Sequence, residues 1–322
     1  MIEQQTPRRE FLKTVAGASA LAATGAFPLQ AAKKKGTPPA EKVAHSLFES
    51  LTEEQRKEIA FPFDHPLRKK VDNNWQITKP RIGQFFNKDQ QAMVDEIFRK
   101  IHSPEYADKI VGQVAHDSGS KALEKCSVGL FGDPGKDFEF VLTGRHCTRR
   151  CDGNSVKGAA FGGPIFYGHA AKGFHEEPNH PGNVYWYQAE RANELYQALD
   201  GKQRKHALLE KRSRGERGNK TIETKGSDKD LDGLPASDLS GDQRELLTKV
   251  LADLLAPFRK KDAQEALKLI KANDINKLHL SYYKNENIGD DEVWDVWQIE
   301  GPKMVWYFRG KPHVHVWANI EA

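Results

Sequence analysis

The C-terminal end of the chain is a series of four short segments that favour β-strands. They read KLHLSYYK, EVWDVWQIEG, KMVWYFRG and PHVHVW, and turn residues separate them. Short β-rich runs with turns between them are typical of an antiparallel meander. No regular alternation of strand and helix is visible along the chain, which argues against a parallel sheet built from βαβ units.

An earlier pair of segments predicts a hairpin in the middle of the chain. SVGLFG and FEFVLTGRH lie on either side of DPGK, in which Pro134 and Gly135 supply turn conformations. We therefore expect this hairpin to contribute to the same kind of antiparallel sheet.

Four segments share the pattern of a helix start: LTEEQR, FNKDQQ, LDGKQR and LSGDQR. Each has a capping residue whose side chain accepts from a backbone N–H, and a glutamine three residues later that can bond back to it. The cap and glutamine pairs are Thr52 and Gln55, Asn87 and Gln90, Asp200 and Gln203, and Ser240 and Gln243. A functional repeat is the alternative interpretation.

Apolar residues recur at helical spacing behind these caps, as in DQQAMVDEIFRKI and QRELLTKVLADLL, and again in KDAQEALKLIKA. The predicted fold is α+β, with an antiparallel sheet of hairpins and a C-terminal meander packed with several amphipathic helices. We predict one domain over residues 33–322, with a long surface loop at about 212–238, where the sequence is polar and lacks either period.

The N-terminal segment predicts export. Arg8 and Arg9 precede an apolar run over residues 15–27 and the small residues Ala31 and Ala32, which is a signal-peptide layout. The paired arginines resemble the twin-arginine signal, so we expect residues 1–32 to direct a soluble protein to the periplasm or the outside of the cell. The apolar run is too short to cross about 30 Å of hydrocarbon, and no later segment predicts a membrane span.

The charge balance argues against a nucleic-acid partner. The chain has 49 basic and 45 acidic residues, a net charge of +4. Nucleic-acid binding normally needs a one-sided basic surface, which so balanced a total does not indicate.

Three cysteines, Cys126, Cys147 and Cys151, permit at most one internal disulfide. If residues 146–151 are extended, Cys147 and Cys151 lie on the order of 13 Å apart and cannot bond each other. In an exported protein the expected bridge therefore joins Cys126 to one of the other two.

The sequence pattern that points most directly to a functional site is the histidine pair in PHVHVW. On a strand, His313 and His315 lie on one face, with Cα atoms about 6.6 Å apart. Two imidazoles can then converge on one metal ion at about 2.0–2.1 Å. The spacing alone is not specific, so further ligands are needed. Candidates are His146, which closes the hairpin strand, and His169 in GGPIFYGH.

His169 can either end a strand or begin a loop that closes over the site. His279 alternates with leucines in KLHLSYY, which favours a structural role and makes it a reserve ligand. Near His146, Arg145 and Asp152 are candidates for orienting an imidazole or holding an anionic substrate. A solvated rim of charges is the alternative interpretation of these two residues.

Seven blocks of the chain resemble a family of exported bacterial proteins grouped as domain of unknown function 3500. They are SLTEEQRKEIAFPFD, SVGLFGDPG, TGRH, GGPIFYGHAA, GLPASDLSGDQRELL, IEGPKMVWYFRG and PHVHVW. The resemblance extends from about residue 44 to residue 317 and singles out His146, His313 and His315. It implies a shared fold and site, and no activity. Cys147 and Cys151 depart from the apolar residues more usual in that strand.

A three-histidine site with an open position suits zinc, copper or iron, and imidazole alone does not choose among them. Glu300 in IEGP is a candidate general base or fourth ligand, or it points to solvent. The predicted function is a metal-dependent enzyme, hydrolytic or oxidative.

Two further patterns keep other interpretations open. DKDLDG, with Asp228, Asp230 and Asp232, matches the start of a calcium loop, but Leu239 occupies the position of the bidentate Glu, so binding would be weak. Aromatic residues, most of which must fill the core, can also form a stacking platform. The rival prediction is therefore a non-catalytic periplasmic binding protein for a carbohydrate-like ligand. The aromatic residues concerned are Tyr185, Trp186, Tyr187, Trp294, Trp297, Trp306, Tyr307 and Trp317.

Overall fold

The four capping sequences begin four helices, as predicted. In each, the cap side chain accepts from the backbone N–H of the glutamine, whose side chain accepts from the N–H of the cap. The computed structural model describes residues 39–169, 180, 182–285 and 291–322. Its helices are α1 (Pro39–Glu49), α2 (Glu53–Ile59), α3 (Ile82–Phe85), α4 (Lys88–Lys100), α5 (Pro104–Ser118), α6 (Trp186–Gln197), α7 (Gly201–Ala207), α8 (Gly241–Leu255) and α9 (Lys260–Ala272).

The capping glutamines also bind one another in pairs. The side-chain amides of Gln55 and Gln90 donate to each other, both at 3.0 Å, and those of Gln203 and Gln243 do so at 2.9 and 2.8 Å. The repeated sequence pattern thus fastens the start of α2 to that of α4, and the start of α7 to that of α8.

A single mostly antiparallel sheet runs through the described residues. Its strand order is β1-β2-β3-β4-β5-β11-β10-β9-β8-β6, with β7 paired to β8 off this path. Only β1–β2 and β6–β8 pair in parallel among these strands. The predicted α+β class, the hairpin β2–β3 and the meander β8–β11 are confirmed. The strands are β1 (Ala60–Phe61), β2 (Ser127–Gly132), β3 (Phe138–Gly144), β4 (Cys147–Cys151), β5 (Ile165–His169), β6 (Leu208–Leu209), β7 (Leu234–Pro235), β8 (His279–Tyr283), β9 (Val296–Gly301), β10 (Met304–Arg309) and β11 (Val314–Ile320).

The described chain consists of two halves with the same element order. In the first, α1, α2, β1, α4 and α5 precede the four strands β2–β5. In the second, α6, α7, β6, α8 and α9 precede β8–β11. In both halves the second strand ends at a crowded glycine, just before the turn into the third strand. A Cβ at Gly144, the end of β3, would lie 2.7 Å from Cys126 Sγ, and one at Gly301, the end of β9, would lie 2.8 Å from Leu278 Cδ2. Antiparallel pairing of β5 with β11 joins the halves into one sheet.

The main core lies between the sheet and the helices and contains, of the aromatic residues noted above, Tyr185, Trp186, Trp297 and Trp306, whereas Tyr307 and Trp317 belong to a second buried cluster. Trp297, Trp306 and Trp317 are fully buried, Tyr185, Trp186 and Tyr307 are buried, and only Tyr187 and Trp294 of that set are half-buried. All three cysteines are buried free thiols, so the expected disulfide from Cys126 is not formed.

Two predictions concern the N-terminus and the long loop. The predicted signal peptide at residues 1–32 lies outside the described residues. Within 212–238 the structure has two 3-10 turns and the short strand β7, and several side chains there are buried, including Thr221, Ile222 and Leu234. No helix among the described residues is long and apolar enough to cross a membrane.

Candidate metal centre

Three imidazoles meet where the turn before β4 faces the start of β11. The Nε2 atom of His315 lies 3.1 Å from Nε2 of His146 and 2.9 Å from Nε2 of His313. One ring nitrogen from each histidine lies within 4.8 Å of the other two, and no other group of three His, Cys, Asp or Glu in the described part of the chain is this close. Two nitrogens bound to one ion at about 2.0–2.1 Å are about 2.9–3.4 Å apart at angles near 90–110°. The three histidines can therefore hold a metal ion.

The turn before β4 holds His146 in an unusual backbone conformation. His146 has φ of 51°, the left-handed region that non-glycine residues seldom adopt. Its backbone N–H donates to the carbonyl oxygen of Asn73 at 2.9 Å, and Asn74 forms an isolated bridge with Arg145. Backbone strain of this kind concentrates at functional sites, where the surrounding structure holds it in place.

Two carboxylates fix the tautomers of His146 and His315. Nδ1 of His146 lies 2.9 Å from Oδ2 of Asp117, and Nδ1 of His315 lies 2.6 Å from Oε2 of Glu216. Because an ionised carboxylate only accepts hydrogen bonds, the proton of each neutral ring lies on Nδ1. The unprotonated Nε2 atoms then face each other, as they must to bind a metal ion.

Burial keeps His315 neutral. Its side chain is almost fully enclosed, and this burial lowers the pKa of His315 to about 4, although the hydrogen bond and the charge of Glu216 act in the opposite direction. The charge of Arg309 lowers this pKa further. At neutral pH the ring is therefore in the form that binds metals.

Neither carboxylate was identified from the sequence. Asp117 lies in the last turn of α5, where a negative charge opposes the helix dipole, and this unfavourable position was the available signal. Its side chain is fully buried, and Oδ2 also accepts from Nε2 of Gln113 at 2.7 Å. Glu216 comes from the long loop, in a polar stretch that gives no such signal. The guanidinium Nε of Arg309 lies 3.2 Å from Oε1 of Glu216.

His169 and Arg145 lie near this centre without belonging to the three. His169 ends β5, with Nδ1 at 3.6 Å from Oδ1 of Asp117. The residues that would form the loop predicted as its alternative role lie outside the described part of the chain. Arg145 is half-buried and lines a small open cleft together with Asp117, Gln76 and Arg81.

Glu300, predicted as a base or a fourth ligand, lies elsewhere on the same sheet. It pairs with Val305 on β10, whereas His315 pairs with Arg309 on that strand, so the two positions are about 13 Å apart along the strands. Its carboxylate binds Arg214 and the side-chain amide of Gln298. The structure does not bring Glu300 to the three imidazoles.

Three other predicted sites are not part of the histidine centre: Asp152, His279 and the aspartates of the calcium pattern. Asp152 follows the far end of β4, and Oδ2 accepts from the backbone N–H of Val156 at 2.9 Å. His279 begins β8, three strands away from β11. The aspartates of DKDLDG do not form a close group of ligand atoms in the described residues.

Comparisons with known proteins identify the family of the chain but do not identify an activity. No curated protein and no solved structure matches the chain. A family model described as "Protein of unknown function (DUF3500)" matches residues 33–318, which include all three histidines of the centre. The chain therefore belongs to this family.

Proposed function

We propose that the protein is an exported enzyme that uses one transition-metal ion, held by His146, His313 and His315, in a hydrolytic or oxidative reaction. The observation that carries this proposal is the 3.1 Å approach of the Nε2 atoms of His146 and His315, while each Nδ1 binds a carboxylate. Two nitrogen lone pairs at this distance repel each other unless a proton or a metal cation lies between them, and the lowered pKa of His315 disfavours the proton.

The arrangement suits a catalytic ion more than a structural one. A structural zinc site normally has four protein ligands, whereas catalytic sites have three and leave a position for water or substrate. His313, unlike the other two, is half-buried and gives the ion its nearest access to solvent. Bound zinc would supply hydroxide at neutral pH by lowering the pKa of its water to about 7, and copper or iron would supply redox chemistry.

The surrounding residues position these ligands. Asp117 and Glu216 orient two of the rings, and Arg145 lines a cleft with Asp117, where its guanidinium suits an anionic group on a substrate. We leave Glu300 and Asp152 out of the catalytic set because their hydrogen-bond partners lie away from the imidazoles.

Elemental analysis of the full-length chain, purified from the cells that make it, tests the metal. We expect at least one molar equivalent of a transition metal, and one equivalent less in the His313→Ala, His315→Ala double variant. The exposed His206 provides a control, since His206→Ala should leave the metal content unchanged. Equal metal content in the wild type and the double variant, or no transition metal in either, would refute the proposal.

The proposal includes export by the twin-arginine route to the periplasm or beyond. Its support is the signal-peptide layout around Arg8 and Arg9. This route carries folded proteins, so a metal can be acquired before export. An Arg8→Lys, Arg9→Lys variant should accumulate inside the cell, whereas Lys34→Arg should be exported normally. Export of the double variant at the normal rate would contradict this assignment.

The carbohydrate-binding alternative has less support. Of the eight aromatic residues that suggested it, six are buried in the core, so they cannot stack on a sugar. We therefore favour the metal-dependent enzyme.

A further inference from the structure

A second group of histidines lies on the other side of Asp117. His116 in the last turn of α5, His169 at the end of β5 and His180 form a triangle of rings, with centroids 5.9, 5.9 and 6.1 Å apart. Together the two groups contain six of the 12 histidines of the chain. Three nearly equal separations exclude a linear stack, in which the outer two rings would be about twice as far apart as neighbours.

The size of this triangle is close to that of three rings around one metal ion, although its ring nitrogens do not all lie within 4.8 Å of one another, as those of the first group do. A ring bound at about 2.0–2.1 Å has its centroid about 3.2 Å from the ion, since a nitrogen lies about 1.1 Å from the centroid. The separations in the second group put the midpoint about 3.4 Å from each centroid, so each ring would need to move by about 0.2 Å and to turn one nitrogen towards the ion. In the first group, with separations of 5.0, 5.0 and 4.6 Å, the midpoint is about 2.8 Å away, and the ion would lie above the plane of the centroids.

Asp117 contributes negative charge to both groups. Its Oδ2 binds His146, and its Oδ1 lies 3.6 Å from Nδ1 of His169. That separation is too long for a hydrogen bond and equals the spacing of two atoms that bind one ion at an angle of about 120°. The carboxylate side chain is fully buried, so little solvent weakens its attraction for a cation at either position.

The ring of His180 presents an unprotonated nitrogen. Its Nδ1 accepts a hydrogen bond from the backbone N–H of Gly182 at 3.0 Å, which places the proton of the neutral ring on Nε2. A metal ion that binds the Nδ1 lone pair would therefore replace the hydrogen bond from Gly182. Gly182 also leaves room between the rings, because a Cβ there would lie 3.1 Å from Nδ1 of His180 and 3.2 Å from Cε1 of His169.

We propose that His116, His169, His180 and Asp117 form a second binding site for a divalent transition-metal ion, next to the centre at His146. Three imidazoles and one carboxylate select zinc, copper or cobalt over magnesium or calcium, which prefer oxygen ligands. The two ions would not share a ligand atom, because the His146 ring and the carboxylate lie between them. This inference concerns binding alone and does not require activity at the first site.

Titration of the metal-stripped full chain with Zn²⁺, in competition with a chromophoric chelator, tests the second site. We expect two equivalents for the wild type, one for His116→Ala, His169→Ala, one for His313→Ala, His315→Ala, and none for all four substitutions together. Circular dichroism of each variant checks the fold. Because His169 is buried, the single variant of the exposed His116 is the safer test, and it should weaken one equivalent by at least tenfold. His206→Ala is the matched exposed control.

The outcomes separate this inference from the proposed function. A single wild-type equivalent that disappears in His313→Ala, His315→Ala and stays unchanged in His116→Ala would overturn the second site and leave the first intact. A single equivalent that is lost only with His116 and His169 would do the reverse. Two wild-type equivalents, each removed by one pair of substitutions, would establish both sites.

Discussion

Replacing Glu216 with glutamine would remove one of the two carboxylate oxygens that face His315 and Arg309. In the native chain Oε2 accepts from Nδ1 of His315 at 2.6 Å, and Oε1 lies 3.2 Å from Nε of Arg309. A glutamine has one oxygen and one NH₂ group. If its oxygen faces Arg309, the NH₂ group faces Nδ1 and forces the proton of His315 onto Nε2, which then cannot bind a metal. If the oxygen faces His315, the NH₂ group faces a guanidinium, donor against donor.

Either orientation of the glutamine side chain should weaken metal binding at this centre. Removing a carboxylate that orients a histidine ligand typically lowers metal affinity 10–100-fold, which corresponds to about 1.4–2.7 kcal/mol. We therefore expect Glu216→Gln to raise the dissociation constant for Zn²⁺ by this factor in a chelator competition at pH 7. The fold should be retained, because glutamine has the same shape.

Glu210→Gln is the matched control for this experiment. Glu210 precedes the same loop, is 82% exposed and pairs with Lys284 at 2.6 Å on the surface. Exposed ion pairs contribute about 0–1 kcal/mol to stability, and this one does not contact a histidine. Its substitution should leave Zn²⁺ affinity unchanged. An affinity of Glu216→Gln within twofold of the wild type, or an equal loss in Glu210→Gln, would show that the carboxylate does not set the tautomer of His315.

Three other predictions concern stability and reactivity. Zn²⁺ at about 100 times its dissociation constant should raise the free energy of unfolding by about 2.7 kcal/mol per site, and calorimetry should show one such increment lost in His313→Ala, His315→Ala. Burial raises the pKa of Cys147 to about 11, so a thiol reagent at pH 8 should label none of the three cysteines before unfolding and all three afterwards. Because the unfolded thiol ionises near pH 9 and the folded one does not, the contribution of Cys147 to stability is intact below pH 9 and falls by about 3 kcal/mol towards pH 11, which urea unfolding of the wild type and Cys147→Ala can measure. Ser240→Ala should cost about 1 kcal/mol through loss of the cap of α8, whereas Ser237→Ala, at an exposed hydroxyl, should cost little in the same assay.

The parts of the fold that the sequence predicts well are those governed by local rules. Caps such as Ser240 with Gln243 depend on atoms three residues apart, and the meander depends on short segments with turns between them. The pairing of the capping glutamines and the junction of β5 with β11 depend on contacts between distant residues, which no local pattern reveals.

In the candidate site too, the residues related by local geometry were predicted, and those brought together by long-range contacts were not. His313 and His315 are adjacent by strand geometry, and His146, a candidate because it closes the hairpin strand, is singled out by the resemblance to the family. Asp117 and Glu216 are 29 and 99 residues from the histidines that they bind, and both are single carboxylates among 45 acidic residues. The prediction of a disulfide was wrong for a related reason, since the number of cysteines limits the possible pairings but does not show that two sulfur atoms lie within bonding distance.

The two halves of the chain differ at the turn that follows their crowded glycines. After Gly144 the turn supplies His146, and after Gly301 the corresponding position is Lys303. A symmetric homodimer of either half would have the same residue in both turns, so that a histidine needed in one turn would also stand in the other. Covalent joining removes this constraint, because one copy can keep an imidazole while its counterpart is free to vary.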